Sequence, residues 1–119
     1  MSSHGTGSDI SRQEANDLLH KLITESTKVQ GMFVGRGGVR TAVRGTVSCP
    51  QDGVVLISER RSPTDASLCF GLKDVSGFKY GDNRAFPGSS SVPDTPHLSS
   101  ALCFVYPDGA QVVLFEIAA

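Results

Sequence analysis

Val39-Arg-Thr-Ala-Val-Arg-Gly-Thr-Val-Ser48 alternates with a period of two. Val39, Thr41, Val43, Gly45 and Val47 fall on one phase, and Arg40, Ala42, Arg44, Thr46 and Ser48 on the other. Successive side chains of an extended chain point to opposite faces, so this pattern predicts a strand with one face on a core and one in water. Turn residues flank it. Gly35-Arg-Gly-Gly38 precedes it, with glycines that tolerate positive φ, and Pro50-Gln-Asp-Gly53 follows. Val29 to Val34 therefore reads as the preceding strand and Val54 to Ser58 as the next. The latter is apolar on both faces, as expected of a central strand.

Upstream the period changes. Ser11-Arg-Gln-Glu14 has the capping-box spacing, in which a serine hydroxyl and a glutamate satisfy each other's backbone amides. Ala15, Leu18, Leu19, Leu22 and Ile23 then recur at helical spacing, which predicts an amphipathic helix from about Arg12 to about Ser26. One apolar stripe packs on one surface, most simply a sheet face. Residues 1–10 carry little to bury and are expected to form a disordered tail.

Downstream, Glu59 to Asp65 reads as a polar loop and Ala66 to Leu72 as a fourth strand. Residues 73–80 read as its bent continuation, with Gly77 marking a bulge. Residues 81–99, rich in proline, glycine and serine, are expected to be a long loop. Ala101 to Tyr106, the turn Pro107-Asp-Gly109 and Ala110 to Ile117 form a clear hairpin. The expected fold is thus α+β. Its N-terminal helix packs on a curved, mostly antiparallel sheet or small barrel of about six strands, in a single domain over residues 11–119.

The chain has 119 residues, a usual size for one domain, and a formal net charge of −1, so no global field favours a polyanion or a membrane. It holds no apolar run near the ~20 residues that cross a bilayer, and its start lacks the basic and apolar regions of a signal peptide. A cytoplasmic location is expected. Cys49, Cys69 and Cys103 are odd in number and form no short motif, so small buried thiols are the expectation.

The patterns that carry chemistry are mostly missing. His4, His20 and His97 pair with no Cys, Asp or second His at ligand spacing, so neither a metal nor a cofactor is expected. The serines form no nucleophile elbow and the acids no near pair, so no catalytic residue is assigned. Gly35-Arg-Gly-Gly38 lacks phosphate-loop spacing and reads as a turn. The pointed feature is basic. Arg40 and Arg44 project from one strand face about 13 Å apart, and Arg36 in the turn extends the row. Guanidinium forks grip phosphate or carboxylate bidentately, while the plainer account is a solvated strand face. Phe33, Phe70, Phe78, Phe104 and Phe115 fall mostly on inward phases, which leaves few aromatics for stacking bases.

Two partial resemblances bear on function. Val43-Arg-Gly-Thr-Val-Ser48 with Asp52-Gly-Val-Val-Leu-Ile57 resembles the first motif of the Sm-like small β-barrels, and Lys79-Tyr-Gly-Asp-Asn83 resembles the basic-Gly-Asp-Asn turn of their second. The Asn that this family places after the Asp turn is replaced by apolar residues. That resemblance implies ring oligomers and RNA binding, with Asp52, Lys79 and Asn83 at the matching positions. Arg40-x-x-x-Arg44 is similar to the paired arginines with which PilZ domains hold a cyclic dinucleotide, and of the companion motif only Gly53 agrees.

Two functions are therefore carried forward. The first is a non-catalytic interaction module whose partner is another protein or a second copy, paired through an exposed sheet edge. The second is an anion, nucleotide or RNA binder that uses Arg36, Arg40, Arg44, Lys79 and Asn83.

Overall fold

The computed structural model describes residues 8–35, 37, 40–58, 67–82, 86 and 100–117. The capping box forms as its sequence predicts: Ser11 Oγ accepts the Glu14 amide at 3.1 Å, and Glu14 Oε1 accepts the Ser11 amide at 3.1 Å. Helix α1 (Arg12–Thr24) follows and buries Ala15, Leu19 and Leu22. It ends in a Schellman closure, with Ser26 N–H donating to Ile23 O and Thr27 N–H to Leu22 O. Ser26 holds the left-handed position of that closure at φ 51°. There a side chain costs roughly 1–2 kcal/mol that glycine avoids.

The strands are β1 (Ser8–Ile10), β2 (Lys28–Val34), β3 (Arg40–Gln51), β4 (Val54–Ser58), β5 (Ser67–Gly71), β6 (Gly77–Asp82), β7 (Ser100–Val105) and β8 (Gln111–Glu116). They form one sheet in the order β1-β6-β7-β8-β2-β3-β4-β5, and every pairing is antiparallel. Gly53 at φ 75° and Gly109 at φ 94° turn the β3–β4 and β7–β8 hairpins, where only glycine is unstrained.

The topology forces the sheet to coil. β5 and β6 are consecutive in the chain but six strand intervals apart in the sheet, or about 29 Å if it were flat. The five residues between them span at most about 20 Å. The sheet therefore wraps around its inner face, bringing β5 against strands of the opposite end. Phe104 of β7 receives Phe70 of β5 at 5.0 Å between ring centroids and Phe78 of β6 edge-on at 5.8 Å. Val55, Ile57, Leu102, Val112 and Leu114 fill the same core, and α1 packs into it. The link from β5 to β6 is fastened from three directions. Arg12 donates to Leu72 O and Val75 O and lies over the Phe78 ring, Tyr106 Oη donates to Gly71 O, and Ser76 N–H donates to Val105 O.

A second cluster lies on the outer face. Met32, Ala101, Cys103, Val113 and Phe115 are buried there together with Phe86, a side chain from the expected 81–99 loop. β7 and β8 are consequently apolar on both faces, and Phe115 belongs to this outer cluster rather than the inner core.

Several expectations are corrected. The α+β reading with about six strands, or a small barrel, gives way to a mostly β protein, with eight strands and one short helix among the described residues. Among them the sheet is not closed, since β1 and β5 remain its two edges. Ser8–Ile10, expected as the end of the tail, pair with β6. Residues 73–80 do not continue β5, because a turn separates β5 from β6 and sends the chain to the other end of the sheet. β4 lies next to the edge strand rather than centrally. Residues 59–65 and most of 81–99 lie outside the described residues.

Phe104→Ala is expected to cost about 3–5 kcal/mol in urea unfolding, because it empties the contact that holds the coil together. Ser26→Gly is expected to raise stability by about 1 kcal/mol by the same measurement, through relief of the left-handed serine.

Candidate functional site

Register decides what the basic residues can do together. Arg44 is the cross-strand partner of Gln30, which continues through Phe115 and Ala101 to Gly81. Lys79 pairs with Cys103, which continues through Val113 and Met32 to Ala42. Both side chains thus belong to the outer face, and both are exposed. They stand four strand intervals apart, about 19 Å along the sheet, with the outer apolar cluster between them. Arg44 and Lys79 flank a buried strip rather than converge on one ligand. Arg40 lies opposite Val34 in the β2–β3 ladder, four residues from Arg44. Arg36 and Asn83 lie outside the described residues. Asp52 is exposed in the β3–β4 turn.

Arg44 is held more firmly than a free surface arginine. Its Nε donates to Gln30 Oε1 at 3.1 Å, and Gln30 is a buried polar side chain, 3% exposed. That bond orients the guanidinium plane and leaves its terminal nitrogens as a fork.

The edge of the sheet at β5 is the second feature. Leu72 N–H donates to Gly53 O, which puts Leu72, Phe70 and Leu68 on the β4-facing side of the alternating ladder. Ser67, Cys69 and Gly71 therefore direct their backbone N–H and C=O groups away from β4. Tyr106 Oη already occupies Gly71 O at 2.8 Å. Burial and the nearby Asp74 both push the Tyr106 phenol above its ordinary value, which keeps it protonated and a donor. Among the described residues, β5 has a strand neighbour on one side only, and its sequence Ser-Leu-Cys-Phe-Gly has neither charge nor proline. The opposite edge differs, since β1 has three residues and carries Asp9. Short, charged edges resist pairing and long neutral ones invite it. Sequence reading placed a strand here but could not show that it would be an edge.

The cysteines need correction. Only Cys103 is buried, while Cys49 and Cys69 are exposed. Cys69 lies between inward-facing Leu68 and Phe70, so alternation carries it outward. Burial pushes the Cys103 thiol up to about 12 although Lys79 pulls the other way, and its Sγ lies 3.4 Å from Gln111 Oε1. Burial and Asp52 also push the Cys49 thiol up. Among the described residues, no group of three or more His, Cys, Asp or Glu side chains is placed to hold a metal. No described helix is long and apolar enough to cross a membrane.

The sequence matches no protein-family profile and no curated protein. The fold is similar to that of protein AGR_C_4470 from Agrobacterium tumefaciens, known from its crystal structure, with a TM-score of 0.57 and 16% sequence identity. The likeness takes in 95% of this chain but 59% of that one, so the chain spans about three-fifths of the other protein's length. At that identity the likeness concerns the fold alone.

A maleimide titration of the native protein at neutral pH is expected to modify the exposed Cys69, to modify Cys49 more slowly because its thiol is raised, and to spare Cys103 until denaturant is added. Intact-mass spectrometry with peptide mapping checks this, and rapid native modification of Cys103 would contradict the burial described.

Proposed function

We propose that this protein is a non-catalytic interaction module that pairs with a second copy of itself by strand addition at β5. The observation that carries the reading is that, among the described residues, the outer ladder side of Ser67 and Cys69 has no strand neighbour, on a neutral, proline-free edge. Antiparallel pairing about Cys69 sets each Cys69 against its counterpart and each Ser67 against the other copy's Gly71. The Cys69 pair then exchanges two backbone hydrogen bonds, and each Gly71 N–H donates to the other copy's Ser67 O while Gly71 O stays with Tyr106. In such a hydrogen-bonded pair the Cα atoms stand about 5.5 Å apart, and the contact needs no disulfide. A cytoplasmic setting, where thiols stay reduced, suits it.

The test is sedimentation velocity across a wide concentration range. Wild-type protein is expected to pass from monomer to dimer. Cys69→Pro removes an outward N–H without touching the β4 ladder, and Cys69→Lys sets like charges face to face. Both variants are expected to remain folded monomers. A wild-type protein that stays monomeric throughout, or variants that still dimerise, would refute the reading.

The Gln30–Arg44 bond favours a second reading, anion or RNA binding on the outer face. Under it, single-stranded RNA binds at low salt and weakens steeply as salt rises, and Arg44→Glu abolishes binding while leaving the association state unchanged. A wild-type protein with no affinity for RNA or inorganic phosphate at low salt excludes it.

A further inference from the structure

At the β7–β8 turn a cleft of about 320 Å³ opens on the inner side of the sheet. It is lined by Phe33 near the end of β2, by Tyr106, Pro107, Asp108 and Ala110 around the turn, and by Asp74 of the link from β5 to β6. Phe33 sits on the inward phase of β2, opposite Val112 of β8. Phe33 and Tyr106 pack against the inner core and keep part of their surface in solvent, and Pro107 is exposed. The lining is therefore mostly apolar, and a ligand can reach it.

Its charge has one sign. The charged side chains of the lining are both carboxylates, and among the described residues neither Asp74 nor Asp108 has an ion pair. Ala110 N–H donates to Asp108 Oδ1 at 2.9 Å, which fixes that carboxylate over the turn. Asp74 stands close enough to Tyr106 to raise its phenol. Arg12 spends its guanidinium on the carbonyls of Leu72 and Val75 and on the Phe78 ring. Two rings with accessible surface thus lie beside negative charge that no described cation neutralises.

This lining narrows the chemistry. An anion meets the wrong sign. A divalent metal ion takes six or more oxygen ligands, which two carboxylates beside an apolar floor do not supply. A primary ammonium brings three N–H donors that need acceptors, whereas Phe33, Pro107 and Ala110 present only apolar side chains and the Tyr106 hydroxyl donates to Gly71 O. A cation that carries its charge on N-methyl groups needs no acceptor, and aromatic faces attract it directly. Sites for small molecules run from about 300 to 1,000 Å³, so the cleft suits one small compound rather than a length of peptide. We propose that this cleft binds a small quaternary ammonium compound, its N-methyl groups against Phe33 and Tyr106 and its charge facing Asp74 and Asp108. The cleft is lined by no residue of β5, so this site stands or falls separately from the pairing proposed above.

The experiment is a titration of ¹⁵N-labelled protein with choline chloride, against 3,3-dimethylbutan-1-ol, the neutral compound of the same shape with carbon in place of nitrogen. Saturable amide shifts at Phe33, Asp74 and Ala110 are expected with choline, and binding about tenfold weaker with the neutral compound. Ethanolamine, the primary analogue, is also expected to bind more weakly than choline. Phe33→Leu keeps an apolar side chain but removes the ring, and is expected to weaken choline about tenfold while leaving the neutral compound unchanged. Asp74→Asn is expected to weaken choline about threefold, again without effect on the neutral compound. Equal affinity for choline and its neutral counterpart, ethanolamine binding as tightly as choline, shifts that do not saturate, or variants that weaken both ligands alike would overturn the proposal.

Discussion

The ring of Phe104, seated between Phe70 and Phe78, joins the two ends of a sheet that hydrogen bonds alone would leave open. Backbone ladders fix the neighbours of each strand but not how far the sheet bends. The short link from β5 to β6 sets an upper limit on the distance between its ends, and burial of three aromatic side chains fills the space that the limit creates. With β5 held against β7, the inner face becomes a pocket for the helix rather than a surface in water. Leu19, Leu22 and Ala15 then complete the core from outside the ladder.

The helix also serves the link. Its first residue, Arg12, bonds two carbonyls of the turn that carries the chain from β5 to β6 and stacks on Phe78. The capping box fixes where that arginine begins, and β1, immediately before it, is tied to β6. A local signal of four residues thus positions a clamp on a turn some sixty residues away. Hydrogen bonds to backbone carbonyls suit this role, because arginine can serve several acceptors from one plane.

The sequence made the local elements legible and left their assembly hidden. Ser11-Arg-Gln-Glu14, the alternation around Val43 and the Pro107-Asp-Gly109 turn each carry their information within a few residues, and each forms as expected. β1 has no such signal, because three residues become a strand only when β6 is beside them. The break between β5 and β6 leaves no local mark, because Val75 and Phe78 keep the stretch apolar through the turn and Gly77 reads equally as a bulge. Cys103, Val113 and Phe115 were hard to assign because β7 and β8 are covered on both faces, which erases the period of two. For the candidate sites, sequence spacing supplied the Arg40–Arg44 pair, but only register shows Lys79 on the same face and far along it. Glu116 breaks the pattern of β8, where it sits on the inward phase of an otherwise apolar strand. The edge character of β5 has no counterpart in its own residues, since it depends on which strand fails to arrive.

The order of the strands also governs when the fold can form. β2 pairs with β3 within a hairpin, but its other side waits for β8, at Gln111–Glu116 near the end of the chain. During synthesis on the ribosome, β2 through β5 emerge and can assemble as a meander before β8 exists. Through that interval the strand that will lie near the middle of the sheet is itself an edge, with Met32 and Val29 uncovered. Such a segment is open to wrong partners until the last strand closes over it. The β7–β8 hairpin thus completes a sheet that β2 through β5 can begin, and pairing of strands so far apart in sequence is slow to form.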